Sequence, residues 1–447
     1  MALLVRRARR AATKAAVSLA GRTGSVELAI PAHFRCPISL DLMRDPVTAP
    51  AGITYDRESI EAWLDTGRAT CPVTHAPLRH EDLVPNHAIR RVIQDWCVAN
   101  RSRGVERIPT PKIPVTPVQA SELLFDLAGS ARRRDAAARC VEVVTKIKVL
   151  ARDSERNRSC FASIGTGRVL AAAFESLAAA AADAAAPAGR VLEDILAALV
   201  CMMPLDEESA RTLALPTSLG SLVAIAENGS LAGRLNAVLA IKEVVSCDGA
   251  ATDLSGKADE IVDALAKIIK SPICPQATKA GMVATYHLAL YDERVAARLA
   301  AAGLVPVLVE VLVDADKSMS EKALAVLDAV LASEEGRASA RAHALAVPML
   351  IKKMFRVSDL ATQLAVSAMW RLGKAHSDGE DDGAVTRCLV EALGVGAFQK
   401  LLLLLQVGCR DATKEKATEL LKLLNKYKSV GECVDAVDFR GLNKLSS

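Results

Sequence analysis

The chain is poor in aromatic residues, which make up 3% of its 447 positions. None of its eleven cysteines forms a CxxC pair, no run of eighteen apolar residues is free of charge, and the formal net charge is only +4. Each shortage excludes something. Few aromatics beside abundant Ala and Leu argue for packed helices over sheets. Scattered cysteines in odd number read as reduced thiols of a cytosolic or nuclear setting, most of them small buried apolar residues. The lack of a long apolar run gives no sign of a membrane span, and the weak charge argues against a dedicated nucleic-acid binder. Acid is also missing from the N-terminus: Arg6, Arg7, Arg9, Arg10, Lys14 and Arg22 all precede Glu27. Residues 1–30 read as a basic disordered tail. A transit peptide, a contact with anionic lipid and a nuclear-import signal are the alternatives.

Residues 31–106 carry dense punctuation. Pro37 removes a backbone donor and restricts Cys36, so Cys36-Pro37-Ile38-Ser39-Leu40 is a loop. Asp45-Pro46-Val47 and Pro50-Ala51-Gly52 bracket a hairpin with Val47 to Ile53 as strand remnants. Asp56 is placed to cap a helix at Arg57, with Tyr55 as a staple. Ile60, Trp63 and Leu64 then share a face, and Gly67 ends the helix. Cys71-Pro72 opens a second loop. Asn86 caps a last helix with Ile89, Val92, Ile93 and Trp96 on its apolar face.

In order and spacing these pieces resemble the U-box, the zinc-free relative of the RING finger. The resemblance rests on Cys36-Pro37-Ile38-Ser39, Asp45-Pro46-Val47, Gly52-Ile53-Thr54-Tyr55-Asp56-Arg57, Ile60 with Trp63, Cys71-Pro72, Val84-Pro85-Asn86 and Ile93-Gln94-Asp95-Trp96-Cys97. A structural zinc site needs about four Cys or His ligands, usually in close pairs. No pair has CxxC spacing, and Cys71 with His75 cannot alone close a RING, so no metal and no cofactor is expected. The resemblance implies instead that hydrogen bonds and salt bridges stand in for zinc, with Asp41, Asp45, Asp56, Arg57 and Glu58 as candidates.

The resemblance further implies a shallow apolar notch that docks a ubiquitin-conjugating enzyme loaded with ubiquitin. It maps to Ile38 and Leu40 of the first loop, Trp63 of the helix, and Pro72 and Val73 of the second loop. Clustered exposed apolar side chains suit such an interface. Cys36 and Cys71 occupy structural positions in this pattern rather than nucleophilic ones. One residue departs from the family: three places after the second-loop proline, where Arg or Lys usually positions ubiquitin, stands His75, shorter and only partly charged near neutral pH.

Residues 107–117 hold four prolines and read as a semi-rigid extended linker. From 118 to 428 the chain reads as successive helices. Leu222, Leu265, Leu308, Leu350 and Leu401 anchor similar segments, about 43, 43, 42 and 51 residues apart. The acidic insert Asp378–Gly383 widens the last gap. Gly303 and the residues after it resemble the start of the third helix of an armadillo repeat. Each repeat has too much apolar surface to fold alone, so a solenoid is expected. Repeats before residue 215 are degenerate, and Ala178–Ala188 reads as a helix end plus a mobile loop. Cys140, Cys201, Cys247 and Cys388 are expected to be buried. Lys242, Lys279, Arg294, Lys322, Arg371 and Lys374 are candidate groove cations, and Trp370 is either core or groove. Residues 429–447 form a polar tail.

The expected fold is mostly α: a small α+β U-box, then an α-solenoid of armadillo type. The combination resembles the plant U-box–armadillo ubiquitin ligases. It implies a ubiquitin transferase acting without a covalent ubiquitin intermediate, whose groove binds a protein substrate or receptor kinase in stress or immune signalling. Its partners would be the conjugating enzyme and ubiquitin, not nucleic acid, with a homodimer left open. The address would be cytoplasmic, with the nucleus and the plasma membrane periphery as alternatives. The rival reading is a scaffold or adaptor with a weak U-box, favoured only by His75. A nuclear-import receptor would need ladders of Asn and Trp, and Trp370 stands nearly alone.

Overall fold

The computed structural model describes residues 30–108, 114–131, 137–184, 189–247, 257–291, 293–374 and 382–427. The basic tail, the 429–447 tail and most of the acidic insert lie outside them. The chain divides into two units, the second beginning at Pro114.

In the first unit, punctuation residues leave room for only short elements. Strands β1 (Pro46–Thr48) and β2 (Thr54–Asp56) form an antiparallel hairpin with Val47 opposite Tyr55. Its turn needs Gly52 at a φ of 78°, in the left-handed region. β3 (Val84–Pro85) pairs with the other side of β1, giving the order β2-β1-β3. Helix α1 (Arg57–Asp65) buries Ile60 and Leu64 and leaves Trp63 half-buried. It stops at Gly67, whose N–H donates to the Leu64 carbonyl at 3.0 Å. Helix α2 (His87–Ala99) starts at Asn86, whose Oδ1 accepts from the Ile89 amide at 2.9 Å. Its buried face is Ile93 and Cys97, flanked by Ile89 and Trp96. Val92, expected on that face, is exposed. The i, i+4, i+7, i+8 stripe takes Cys97 in its place.

The proline segment expected as a linker is folded at both ends. Ile108 is buried in the first core, and the Val115 amide donates to buried Asn157 at 2.9 Å. Pro117 is the first residue of a helix, a position where its missing N–H costs nothing. Residues 109–113 lie outside the described set.

In the second unit Ala and Leu at helical spacing build α3 (Pro117–Ala131), α4 (Ala137–Asp153), α5 (Glu155–Ser163), α6 (Thr166–Ala184), α7 (Gly189–Leu199), α8 (Glu207–Ala214), α9 (Pro216–Asn228) and α10 (Leu231–Val245). There follow α11 (Ala258–Lys270), α12 (Pro275–Tyr291), α13 (Glu293–Ala301), α14 (Leu304–Asp314), α15 (Lys317–Val330) and α16 (Glu334–Ala342). The last are α17 (Ala346–Lys353), α18 (Asp359–Gly373), α19 (Asp382–Gly394), α20 (Ala397–Val407) and α21 (Asp411–Lys426). The clearest repeats are triplets such as α13-α14-α15 and α16-α17-α18. The third helices stack in one ladder, α4-α7-α10-α12-α15-α18-α21, and the second helices from α3 to α17 stack in another. All five anchor leucines belong to second helices and are fully buried. Gly303, with a φ of 71°, therefore opens the second helix of its triplet, not the third, because the short α13 precedes it. One continuous core runs from Ala120 to Leu424. The Ala-rich run stays helical through Ala184.

A rung recurs every repeat or so. Glu193 accepts from the amide of Ser230 at 3.0 Å, Lys279 pairs with Asp316 at 3.0 Å, and Ser358 donates to Glu321 at 2.6 Å. Each partner lies 37 residues on and is the N-cap of the next third helix in the ladder.

Among the described residues no single helix is long and apolar enough to cross a membrane.

Candidate functional site

The two cysteine–proline loops have the same backbone trace. In the first, the Cys36 amide donates to the Asp41 carbonyl at 2.9 Å and the Leu40 amide to the Cys36 carbonyl at 2.9 Å. In the second, the Cys71 amide donates to Ala76 at 2.8 Å and the His75 amide to Cys71 at 2.9 Å. Isolated bridges close both, Arg35 with Leu42 and Thr70 with Pro77. Leu40 and His75 sit at equivalent places, with φ of 63° and 58°. A left-handed Leu costs on the order of 1 kcal/mol, while His visits this region more readily. The signal was present in the sequence as Cys-Pro, a β-branched residue, then Ser or Thr, twice over.

This geometry turns the loop tips outward. Leu40 is 70% exposed and Val73 51%, while Ile38 and Pro72 are half-buried. Trp63 joins α1 to the second loop, its Nε1 donating to the Thr70 carbonyl at 2.8 Å. The Arg68 guanidinium stacks 4.2 Å from its ring centre. Ile38 and Trp63 both pack on the edge of the first-unit core while keeping part of their surface in water. Neither Arg68 nor Thr70 is legible from periodicity, because both lie beyond the helix end.

Beneath the loops Tyr55 is fully buried, with its hydroxyl 3.0 Å from Cys71 Sγ. Burial first, then this contact with Cys71, raises the Tyr55 pKa. Burial also pushes the Cys71 thiol up, but donors from Thr74, Tyr55 and the Val73 amide outweigh it and bring the thiol down to about 7. Cys36 and Cys71 are 0% and 1% exposed. Both sulfurs are thus sealed beneath their loops. In the solenoid Cys140 and Cys388 are buried as expected, and burial pushes Cys388 up to about 12. Cys201 and Cys247 are only half-buried, since each follows its helix end.

A clamp of polar contacts holds the hairpin, the first loop and α1 together. Arg57 Nε meets Asp45 Oδ2 at 2.7 Å, and the Arg57 amide donates to the Asp45 carbonyl at 2.9 Å. Asp56 stands at the N-cap of α1 but does not cap it. Its Oδ1 instead accepts from the amides of Arg44 and Asp45 at 2.8 and 2.9 Å. Asn86 does more than cap α2: its Nδ2 donates to Thr48 Oγ1 at 3.0 Å and its amide to the Pro46 carbonyl at 2.8 Å. Of the five charged candidates, Asp45, Asp56 and Arg57 come together. Asp41 contributes its carbonyl and has an exposed side chain, and Glu58 is exposed. Among the described residues no group of three or more His, Cys, Asp or Glu is arranged to hold a metal ion.

In the solenoid, Lys242, Lys279, Lys322 and Arg371 lie on ladder helices, Lys374 follows α18, and Arg294 lies on α13, outside the ladder. Lys242, Lys279 and Arg371 are paired with Glu243, Asp316 and Asp328. Trp370 is half-buried, not core. Its Nε1 donates to Glu419 of α21 at 2.5 Å, and the ammonium groups of Lys374 and Lys416 lie 3.7 and 5.2 Å from its ring centre.

Comparison with known proteins gives two family matches: residues 30–102 match the U-box domain, and residues 120–444 match the plant U-box protein ARM repeat region. The chain is 39% identical over 420 residues to U-box domain-containing protein 21 of Arabidopsis thaliana, covering 94% of this chain and 93% of that one. It is 38% identical to U-box domain-containing protein 20 of the same plant, with the same coverage. It is 33% identical to Arabidopsis E3 ubiquitin-protein ligase PUB23, over 89% of this chain and 93% of the relative.

Proposed function

The chain belongs to the plant U-box family of ubiquitin ligases with armadillo repeats, and from that membership we propose that its first unit docks a ubiquitin-loaded conjugating enzyme. The contacts are Ile38, Leu40, Trp63, Pro72 and Val73. One observation carries the reading: two loops with the same hydrogen-bond pattern present apolar side chains to water, and a half-buried tryptophan pins the second of them. Exposed apolar tips are costly to a free protein and useful to an interface.

The chemistry takes place on the bound carrier. A substrate lysine amine attacks the thioester carbonyl. The C–S bond breaks, an isopeptide bond forms, and the carrier cysteine leaves as thiolate while the amine loses its proton. The ligase lowers the barrier by holding the reactants in place. No ubiquitin passes through the ligase's own cysteines, and sealed Cys36 and Cys71 are consistent with that. His75, exposed at the second loop tip, is the candidate contact to ubiquitin. The solenoid holds the substrate, for which a receptor kinase of stress or immune signalling in the cytoplasm is the reading carried over from the family. A scaffold with a weak U-box is favoured only by His75.

Reconstitution tests this. Purified chain, activating enzyme, a panel of conjugating enzymes, ubiquitin and ATP should yield ubiquitin chains. Leu40→Ala and Val73→Ala, which remove exposed atoms only, should reduce them with no loss of folding, and Ile38→Ala and Trp63→Ala should abolish them. Undiminished chain formation by all four would overturn the assignment.

A further inference from the structure

At the junction of α14, α15 and α17 lies a cavity of about 220 Å³ lined by Ala315, Lys317, Lys352, Lys353, Arg356 and Val357. Four of its six lining residues are cations. No carboxylate lies within ion-pair reach of any of the four among the described residues. Asp316, the nearest acid in the chain to Lys317, is engaged by Lys279 at 3.0 Å. Asp314 acts on Lys353 only as a lesser electrostatic influence. A fifth cation, Lys400, stands behind the cavity with its Nζ on the Ile351 carbonyl at 2.5 Å, and Arg356 depresses its basicity further after burial.

Lys353 is the telling residue. It is 8% exposed, yet its ammonium has one protein acceptor, Ser320 Oγ at 3.2 Å, for three N–H groups. Ser320 in turn spends its own proton on the Ala315 carbonyl. Burial, then neighbouring Lys352, lowers the Lys353 basicity. Burying an under-bonded ammonium among like charges is costly to the free protein. A site of this kind gains from a multivalent anion with several acceptor oxygens. A phosphomonoester brings a charge of about −1.5 to −2 and three such oxygens, and Arg356 offers the fork that binds them in pairs.

We infer that this cavity is a binding site for a phosphorylated serine or threonine of a partner protein. Lys317, Lys352 and Arg356 are exposed while Lys353 is recessed, and a single phosphate projecting from a side chain reaches Lys353 where the plane of a membrane meets only the exposed three. Exposed Phe355, next in the chain to Met354 and held at a φ of 65° by the bond from its amide to Thr362 Oγ1, supplies apolar surface for a residue flanking the phosphate. The partner is the one assigned to the solenoid under the ligase reading, and the site rests on that reading only in this respect.

The test uses the full chain without conjugating enzyme, so it is independent of ligase activity. Probes are the peptide acetyl-Gly-phosphoSer-Gly-amide, its unphosphorylated twin, inorganic phosphate, and vesicles with or without phosphatidylinositol monophosphate. Binding is read by calorimetry and by the melting temperature of the solenoid. The phosphopeptide should bind at least about tenfold tighter than its twin and raise the melting temperature. Lys353→Met should melt higher than the parent without phosphate and lose the response to it. The double variant Lys352→Ala/Arg356→Ala should keep the fold and weaken binding by about tenfold or more. Equal binding of both peptides would overturn the inference, as would a response unchanged in both variants. Lys353-dependent capture by the phosphoinositide vesicles with no response to the phosphopeptide would overturn it in favour of a membrane site. If ligase assays fail while phosphopeptide binding holds, the ligase reading falls and the phosphate site stands.

Discussion

Replacing Asp56 with Ala should loosen the whole first unit. The carboxylate serves two backbone amides at 2.8 and 2.9 Å, one of them part-buried, that have no other partner nearby. Hydrogen bonds to a charged group are worth about 1.5–3 kcal/mol each, and an unsatisfied buried donor costs about as much. Asp56 is half-buried and pays for its own desolvation, which raises its pKa above the ordinary 3.8. A net loss of about 2–3 kcal/mol is therefore reasonable. A unit of this size has on the order of 4–10 kcal/mol in total, so its melting temperature should drop by about 10–20 °C.

Asp56→Asn keeps the accepting oxygen and removes the charge, and should lose much less. The sign with pH follows from the raised pKa. Between 3.8 and the higher folded value the folded state holds more proton than the unfolded one, so this group's contribution falls as pH rises through that window. The Asn variant lacks that fall, so its stability relative to the parent should improve from acid toward neutral pH. Hydrogen exchange followed separately on residues 30–108 and on the solenoid is the assay. If the Ala variant leaves the first unit's protection unchanged, or the Asn variant proves as damaging as Ala, the clamp does not hold the loops.

His75→Arg should speed discharge of ubiquitin from a loaded conjugating enzyme in single-turnover assays, and an unchanged rate would remove His75 from the ubiquitin contact. Leu40→Gly should relieve its left-handed φ and raise first-unit stability by about 0.5–1 kcal/mol, while reducing chain formation. Denaturant melts beside ligase assays would expose a failure of either half. Tyr55→Phe removes a donor from Cys71, so the thiol should titrate above about 7, as read from its Cβ chemical shift. Leu308→Ala should cost about 2–5 kcal/mol in the solenoid alone, leaving the exchange of residues 30–108 unaltered.

Much of this fold was legible because it is local. Proline, glycine and helical periodicity are features of neighbouring residues, and they located both loops, α1, α2 and the five anchor leucines. What escaped depends on contacts between distant segments. Nothing near Asp56 says that its carboxylate turns back to Arg44 and Asp45 rather than onto α1, and nothing near Asn86 reveals Thr48. Val92 falls outside the buried face because an apolar stripe in sequence does not say where its edge falls. Trp370 could not be settled from an Ala-rich helix, since Glu419 and Lys416 that hold it lie in another repeat. The Lys353 cavity escapes for the same reason, as its walls come from two distant stretches, residues 315–317 and 352–357.

The 37-residue rungs tie the starts of three ladder helices, α10, α15 and α18, to a side chain of the ladder helix before each. Helix initiation is the slow, unfavourable step, so at these three places one ladder helix helps to start the next. At those three steps order should spread more readily toward the C-terminus than away from it. Loss of a single rung such as Glu321 with Ser358 would therefore loosen the first turn of α18 before the buried core of that repeat.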